Sequence, residues 1–303
     1  MLQKKINVTG IGCAAWDLLA VLGNYPLPGE KSKLKLFEEQ CGGQVGTALV
    51  AVSRLGGRTA IIETTGDDLY GEKIRESLIH EGLDVTYLLK DPGKTSLVSF
   101  CAILEETGER AIFFTTGTKR YLELEDIPFD LINNSSCLLV DNHHGKASVV
   151  ASAHSRETGI FVVTDIERDN PYNDELFRYG THHILPKDYL IKYTGEKSLK
   201  KALITLQKTY NSEVVIATLG EKGSMAFTGK DFITETAYRV ESVVDTTGAG
   251  DVFHGTFAYG LTLGYSLETN LKFASLVAGL KCRAIGGQQG IPYIDEIKGL
   301  FVG

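Results

Sequence analysis

Long hydrophobic runs are missing from this sequence: no apolar stretch approaches the roughly 20 residues that a bilayer-spanning helix needs. The opening stretch Met1–Gly10 carries no apolar signal-peptide core and leads directly into a strand pattern, so a cytoplasmic location is expected. Cysteine is sparse and unpaired in pattern. Cys13, Cys41, Cys101, Cys137 and Cys282 are odd in number, scattered, and form no Cys-x-x-Cys, which argues against a disulfide framework and a zinc site. Positive charge is in deficit, with 31 Lys and Arg against 38 Asp and Glu and a net charge of -7. That balance argues against a nucleic-acid partner, which would need a basic surface. It leaves a small phosphate ligand open, because a local cradle can hold phosphate on an acidic protein.

What is present is an ordinary globular composition, 43% apolar and 23% charged, over 303 residues. This length can bury a large core and fits one α/β domain or two smaller ones. The chain is organised around Val243-Val244-Asp245-Thr246-Thr247-Gly248-Ala249-Gly250-Asp251-Val252-Phe253-His254-Gly255. Val243 and Val244 read as the end of a strand, and Phe253, Phe257 and Leu261 recur at helical spacing. Gly248, Ala249 and Gly250 therefore open a helix, where unsatisfied N–H groups and the positive dipole end attract anions. Asp251 is either a helix-start carboxylate that favours the dipole or, beside such a cradle, a general base for a hydroxyl attacking phosphorus. The neighbouring cradle favours the base.

Asp245-Thr246-Thr247-Gly248-Ala249-Gly250-Asp251 followed by Val252-Phe253-His254-Gly255 resembles the C-terminal signature of the ribokinase (PfkB-type) carbohydrate kinases. The resemblance implies that Asp251 deprotonates the acceptor hydroxyl and that the Gly248, Ala249 and Gly250 amides form the anion hole. It implies ATP and magnesium as co-reactants, and a ribokinase-like α/β fold: a mostly parallel central sheet flanked by helices, with a small β-sheet lid. One kinase domain then spans 1–303, with lid segments near 15–40 and 94–117.

Along the chain, Ile6–Gly12 reads as a first buried strand, and Gly10-Ile11-Gly12-Cys13-Ala14-Ala15 matches G-x-G-x-x-A. A dinucleotide site would need a helix at once, yet Asp17–Leu22 reads as another strand running into Gly23, Pro26 and Pro28. A nicotinamide-dependent oxidoreductase is thereby disfavoured. By the resemblance, Asp17 binds sugar hydroxyls. The alternation over Lys31–Phe37 suggests a half-exposed strand. Cys41-Gly42-Gly43-Gln44-Val45-Gly46-Thr47 leads into a helix and resembles the family's first signature, placing Gly43, Gln44 and Thr47 at the sugar; Thr47 stands where the family usually has Asn. Asp67 and Asp68 read as caps of the next helix.

Residues 95–116 read as paired strands about a turn at Glu105–Glu109, and Arg110 matches a substrate-side Arg of some ketose-phosphorylating members. His143-His144 and His182-His183 look like poor chelating pairs, because neighbours on extended chain point to opposite faces; one of His143 or His144 is a candidate for lining the sugar pocket. Cys137–Asp141 and Phe161–Asp165 read as buried parallel strands. The stretch from His183 to Tyr189 reads as a helix start. The family's Asn-x-x-Glu is absent there, and Lys187 is left to meet the phosphates as a point charge.

Thr218, Gly220 and Gly223 match a loop that packs on the nucleotide. The helix from Ala274 to Ala284 matches one beside adenine. Asp245 and Thr247, with Ala284 and Gly286 of the following loop, match oxygen donors to a monovalent cation, K+. The run from Phe273 to Pro292 looks most like the ketohexokinase and sulfofructose kinase branch, which points to a ketose or related furanose. The expected reaction is transfer of the ATP γ-phosphoryl group to a sugar hydroxyl, with a nucleoside kinase as the nearest alternative and a non-catalytic sugar-binding protein as a remoter one. A homodimer through the lid is implied by the resemblance alone.

Overall fold

The computed structural model describes residues 5–301. The chain opens with β1 (Ile6–Ile11), β2 (Ala15–Leu22), β3 (Leu36–Gly42), α1 (Gln44–Arg54), β4 (Thr59–Gly66), α2 (Leu69–His80) and β5 (Asp84–Asp91). There follow β6 (Val98–Leu104), β7 (Arg110–Thr115), α3 (Phe129–Asn133), β8 (Ser135–Asp141), α4 (Lys146–Glu157), β9 (Phe161–Asp165) and α5 (Asn173–Tyr179). The last part holds β10 (His182–Pro186), α6 (Lys187–Thr194), α7 (Leu199–Tyr210), β11 (Val214–Thr218), β12 (Ser224–Phe227), β13 (Phe232–Glu235), α8 (Ala249–Thr262), α9 (Leu267–Lys281) and α10 (Ile294–Ile297).

Nine strands form the main sheet in the order β13-β12-β11-β10-β9-β8-β1-β4-β5, parallel except for the hairpins that add β12 and β13 at one edge. The central strands are buried on both faces, and so Cys137–Val140 and Ala60–Ile62 read as unbroken apolar runs. One core layer packs α1, α2, α8 and α9 on one face of the sheet; a second packs α4 to α7 on the other. β2, β3, β6 and β7 form a separate four-stranded sheet in the order β3-β2-β6-β7. That β2 follows β1 without a helix removes the context of a dinucleotide fingerprint. The architecture matches the expected α/β fold with its small second sheet.

Parallel strands carry their ligands beyond their carboxyl ends. Here β8 ends at Asp141 and β9 at Asp165, and these two carboxylates are register partners. The helices that start at that same edge, α1 and α8, must lie close together. At Gly255 a Cβ would stand 2.1 Å from the Ala48 carbonyl oxygen, so only glycine fits the crossing.

Several local readings differ from this structure. Lys31–Lys35 is not a strand; β3 begins at Leu36, opposite Val21, because β2 ends at Leu22 and leaves the Lys-rich stretch no neighbour beyond the bond from the Lys35 amide to the Val21 carbonyl at 2.8 Å. Val243 and Val244 lie outside any strand and are exposed, since no sheet edge reaches the segment between β13 and α8. His182–Pro186 is strand, and the helix begins only at Lys187. Asp68 does cap α2, accepting from the Gly71 amide at 2.9 Å, whereas Asp67 accepts from the Gly93 amide at 2.8 Å and ties down the turn after β5.

Gly255→Ala is expected to destabilise the fold by about 3 kcal/mol or more, since both the methyl and the backbone it meets are rigid. Chemical denaturation of the variant beside the parent protein measures it.

Candidate active site

Gly248 caps α8 with φ 75°, a conformation that favours glycine, and a Cβ there would lie 2.7 Å from the Gly287 backbone. The Ala249 amide turns back to the Thr246 carbonyl at 3.2 Å, and Val252 is the first to make the helical bond, to Gly248 at 2.9 Å. The amides of Gly250 and Asp251 between them have no intrahelical acceptor, which is how a helix start binds an anion.

Asp251 sits in that first turn. Burial pushes its carboxyl well above the ordinary carboxylate range, and the negative charges of Asp165 and Glu167 push the same way, with His254 opposing them. Asp165 is raised for similar reasons: burial first, then Glu167 and Asp141. Asp165 also links the two helix starts, standing near enough to the Gln44 side chain of α1 for that group to favour its charged form, and 3.3 Å from Nε2 of His254 on α8. The His254 ring lies between two carbonyls, Gly250 at 2.6 Å from Nδ1 and Ile184 at 3.1 Å from Nε2, and so pins the first turn of α8 to β10.

The expected sugar-side residues gather at the same edge. Asp17 on β2 is buried and accepts from the Ser99 hydroxyl at 2.6 Å; burial raises its carboxyl, and the Ser99 bond lowers it. Asp17 lies close enough to Asp251 for its charge to raise the Asp251 carboxyl. Gly43 caps α1 with φ 84°, and Gln44 is the first helical residue. Thr47 is buried, and its hydroxyl accepts from Gln288 Nε2 at 3.4 Å, so its side chain faces the loop after α9. Arg110, on β7 of the small sheet, is exposed and donates to the Thr246 hydroxyl at 3.2 Å, joining that sheet to the anion-binding loop.

His143 and His144 need a correction. They occupy a turn after β8, where the opposite-face rule of strands does not apply, and their rings stand 4.8 Å apart, both near Glu63 of β4. Glu63 is fully buried, 2.7 Å from His144 Nε2 and 3.0 Å from the Lys119 ammonium; despite desolvation, His144 and Lys119 hold its carboxyl below the usual range. The Lys119 ammonium also reaches His143 Nε2 at 3.2 Å. With a lysine already bonded to both, Glu63 and the two histidines form an ion-pair network rather than a metal site. Burial lowers His143 to about 4, so its ring is neutral at physiological pH. Burial raises Asp141 to about 6, though it accepts the amides of Cys13 at 2.7 Å and His143 at 2.8 Å. His182 and His183 do follow the strand rule: one ring packs on Phe257, the other on Phe177.

A cavity of about 680 Å³ opens beside the anion-binding loop, lined there by Thr246, Ala249 and Gly250. Thr218, Gly220 and Gly223 form its far side, while Ala278 and Gly279 of α9 supply a small-residue wall. A larger hollow of about 950 Å³ lies further along the groove near Lys272 and Phe301 and, unlike the smaller one, is not lined by Ala249 or Gly250. The smaller cavity is the one that touches the start of α8, where the amides lack intrahelical acceptors. Lys187, at the start of α6, is exposed and does not line it.

Asp245 and its expected companions are held together. The Asp245 carboxylate accepts from the Thr247 amide at 2.9 Å, the Thr247 hydroxyl at 2.8 Å and the Gly286 amide at 2.7 Å. The Ala284 amide bonds the Lys281 carbonyl at 3.4 Å. Sequence reasoning missed Glu63, Lys119, Asp165, His254 and Lys281. Asp165 alone carried a usable signal, as a carboxylate at the end of a buried parallel strand.

Lys119→Met is expected to cost about 3–5 kcal/mol by stranding the Glu63 charge in the interior, and Glu63→Gln added to it should recover part of the loss. Denaturant unfolding of the two single variants and the double variant measures the cycle.

Comparison with known proteins agrees with this geometry. The profile of the pfkB family carbohydrate kinases matches residues 6–294. A 5-dehydro-2-deoxygluconokinase of Clostridium perfringens is 24% identical over 98% of this chain and 93% of its own length. A nucleoside kinase of Methanothermobacter thermautotrophicus is 24% identical over 97% of this chain and 95% of its own. The fold superposes on Arabidopsis thaliana ribokinase, solved with ribose and ATP, with a TM-score of 0.86 and 22% identity over 97% of this chain and 98% of that one. The chain belongs to the pfkB family of carbohydrate kinases.

Proposed function

We propose that the protein transfers the γ-phosphoryl group of ATP to a hydroxyl of a small sugar, with Asp251 as the base. The observation that carries this reading is a proton-seeking carboxylate, Asp251, set in the first turn of a helix whose free amides open onto a cavity of about 680 Å³. A base with a raised pKa keeps its affinity for the hydroxyl proton as the oxygen attacks, while preorganised amides stabilise charge on the transferring group. Asp17, Gly43 and Gln44 hold the sugar. The nucleotide extends from the Gly248–Gly250 amides toward Gly220 and Gly223, with adenine against the small-residue wall of α9. Lys187 stands apart from that cavity and would meet phosphate only by swinging inward.

Magnesium fits the same edge. Asp165 and Glu167 offer hard carboxylate oxygens whose mutual repulsion a divalent ion would relieve, in place of the missing Asn-x-x-Glu. The ion would neutralise phosphate charge there.

The sugar is a ketose, on the likeness of residues 273–292 to the fructose-type branch and on Arg110 standing at the mouth of the site. A nucleoside is the competing substrate, and one observation favours it. Phe114 pairs with Ser99, which pairs with Asp17, so an exposed aromatic ring shares the face that carries the sugar-binding carboxylate. The opposite face of the small sheet exposes Phe37, Phe100 and Phe113, an apolar surface suited to a homodimer through this sheet.

ADP release with ATP and magnesium across ketoses, aldoses and nucleosides tests the substrate. Asp251→Asn is expected to lower kcat by about 10²–10⁴-fold with the preferred acceptor; full activity in that variant would remove Asp251 as the base. The acid limb of kcat/KM should lie above the ordinary carboxylate range, because the free enzyme must lose the Asp251 proton. Asp165→Asn deletes a repelling charge and should shift that limb to lower pH. Light scattering should give a dimer mass for the parent protein and a monomer mass for Phe113→Asp.

A further inference from the structure

Lys281, the last residue of α9, is fully buried, yet the chemistry proposed above gives it no role. Its ammonium donates to the Asp245 carbonyl at 2.9 Å. That carbonyl belongs to the segment that runs through Thr246 and Thr247 into the anion-binding amides. The Asp245 carboxylate, meanwhile, is engaged by three donors, two from Thr247 and one from Gly286. Of the donors that the family resemblance assigns to a monovalent cation, Asp245 is therefore already engaged from within the chain, through its carbonyl and both carboxylate oxygens. An alkali ion seeking the Asp245 carbonyl would meet a like charge held in a site without solvent. With the Lys281 ammonium in place, the Asp245 side of that set does not fit such an ion.

We infer that the Lys281 ammonium is a built-in substitute for a bound monovalent cation beneath the anion-binding loop, so that the kinase needs no added K+; this rests on the kinase reading above. A positive charge placed at the C-terminal end of α9 is favourable to that helix. It is within electrostatic reach of both Asp245 and Asp251. From there it fixes the Asp245 carbonyl, while the Asp245 carboxylate fixes Thr247 and Gly286 of the neighbouring loop. Gly248 then rests against Gly287, and the amides that follow stay aimed at the phosphate. Lys281 is thus a positioning residue, acting on the reaction through the loop it holds.

The test compares the parent protein in K+, Na+ and tetramethylammonium salts at equal ionic strength, by ADP release and by thermal unfolding. Rates within about twofold of one another, and no stabilisation specific to K+, are expected, since a ligand that does not bind the native state cannot raise its Tm. A saturable K+ stimulation of about fivefold or more, or a K+-specific rise in Tm, would overturn the proposal. Rb+ diffused into crystals gives a readout free of turnover: anomalous scattering at the Asp245 carbonyl would refute it, and none there supports it. Lys281→Ala should lose about tenfold or more in kcat and regain part of it with ammonium or K+. Full activity of that variant without a cation would refute the positioning role. Should the variant not fold, the parent protein in the three salts decides alone. Should it phosphorylate no acceptor, the thermal and Rb+ measurements still decide, which separates failure of this inference from failure of the kinase reading.

Discussion

The rest of the site depends on the contact between Gly255 and the Ala48 carbonyl. Two helices start at the carboxyl edge of the main sheet, one offering Gly43 and Gln44, the other offering Gly248 to Asp251. With a side chain at position 255 they would be pushed apart, because a Cβ there would stand 2.1 Å from a main-chain oxygen. The residues proposed to hold sugar and phosphate come together only at the spacing that glycine permits. Asp165 completes the arrangement by contacting both helix starts, through Gln44 on one side and His254 on the other.

This convergence explains the electrostatics. Asp141 and Asp165 end adjacent strands as register partners, and Asp17 and Asp251 approach from the small sheet and α8. Carboxylates buried this close raise one another's proton affinity, which would suit the proton-accepting role proposed for Asp251. The opposing charges are also buried: Lys119 beneath Glu63, Lys281 beneath Asp245. Most of the local charge balance lies inside the protein and is insulated from salt.

What could be read from the sequence was whatever is contiguous in it. Asp245 to Gly255 carries the loop, the glycine cap and the first turn of α8 with Asp251 within one short run, and alternation of strand and helix patterns pointed to the layered architecture. Glu63, Lys119 and His144 lie 81 residues apart at the extremes and meet only through the packing of β4 against the turn after β8, which no local pattern records. The His143-His144 pair was misread because a rule for extended chain does not hold in a turn. Val243 and Val244 were misread because β-branched residues favour strands only where a sheet edge is available to receive them.

That unpaired segment has a consequence of its own. Between β13 and α8 the chain crosses the cavity as a strap, fastened to α9 by the Tyr238 amide on Ser275 Oγ at 3.0 Å and the Val244 amide on the Cys282 carbonyl at 2.8 Å. No ladder stiffens it, so its position derives from α9 and the residues that end it. A molecule seated in the cavity would lie against backbone held in this way. Its affinity would then depend on residues, Ser275 and the end of α9, whose first duty is to hold the strap. Selection for a different occupant could act on that fastening and leave the glycine turn at the start of α8 unchanged.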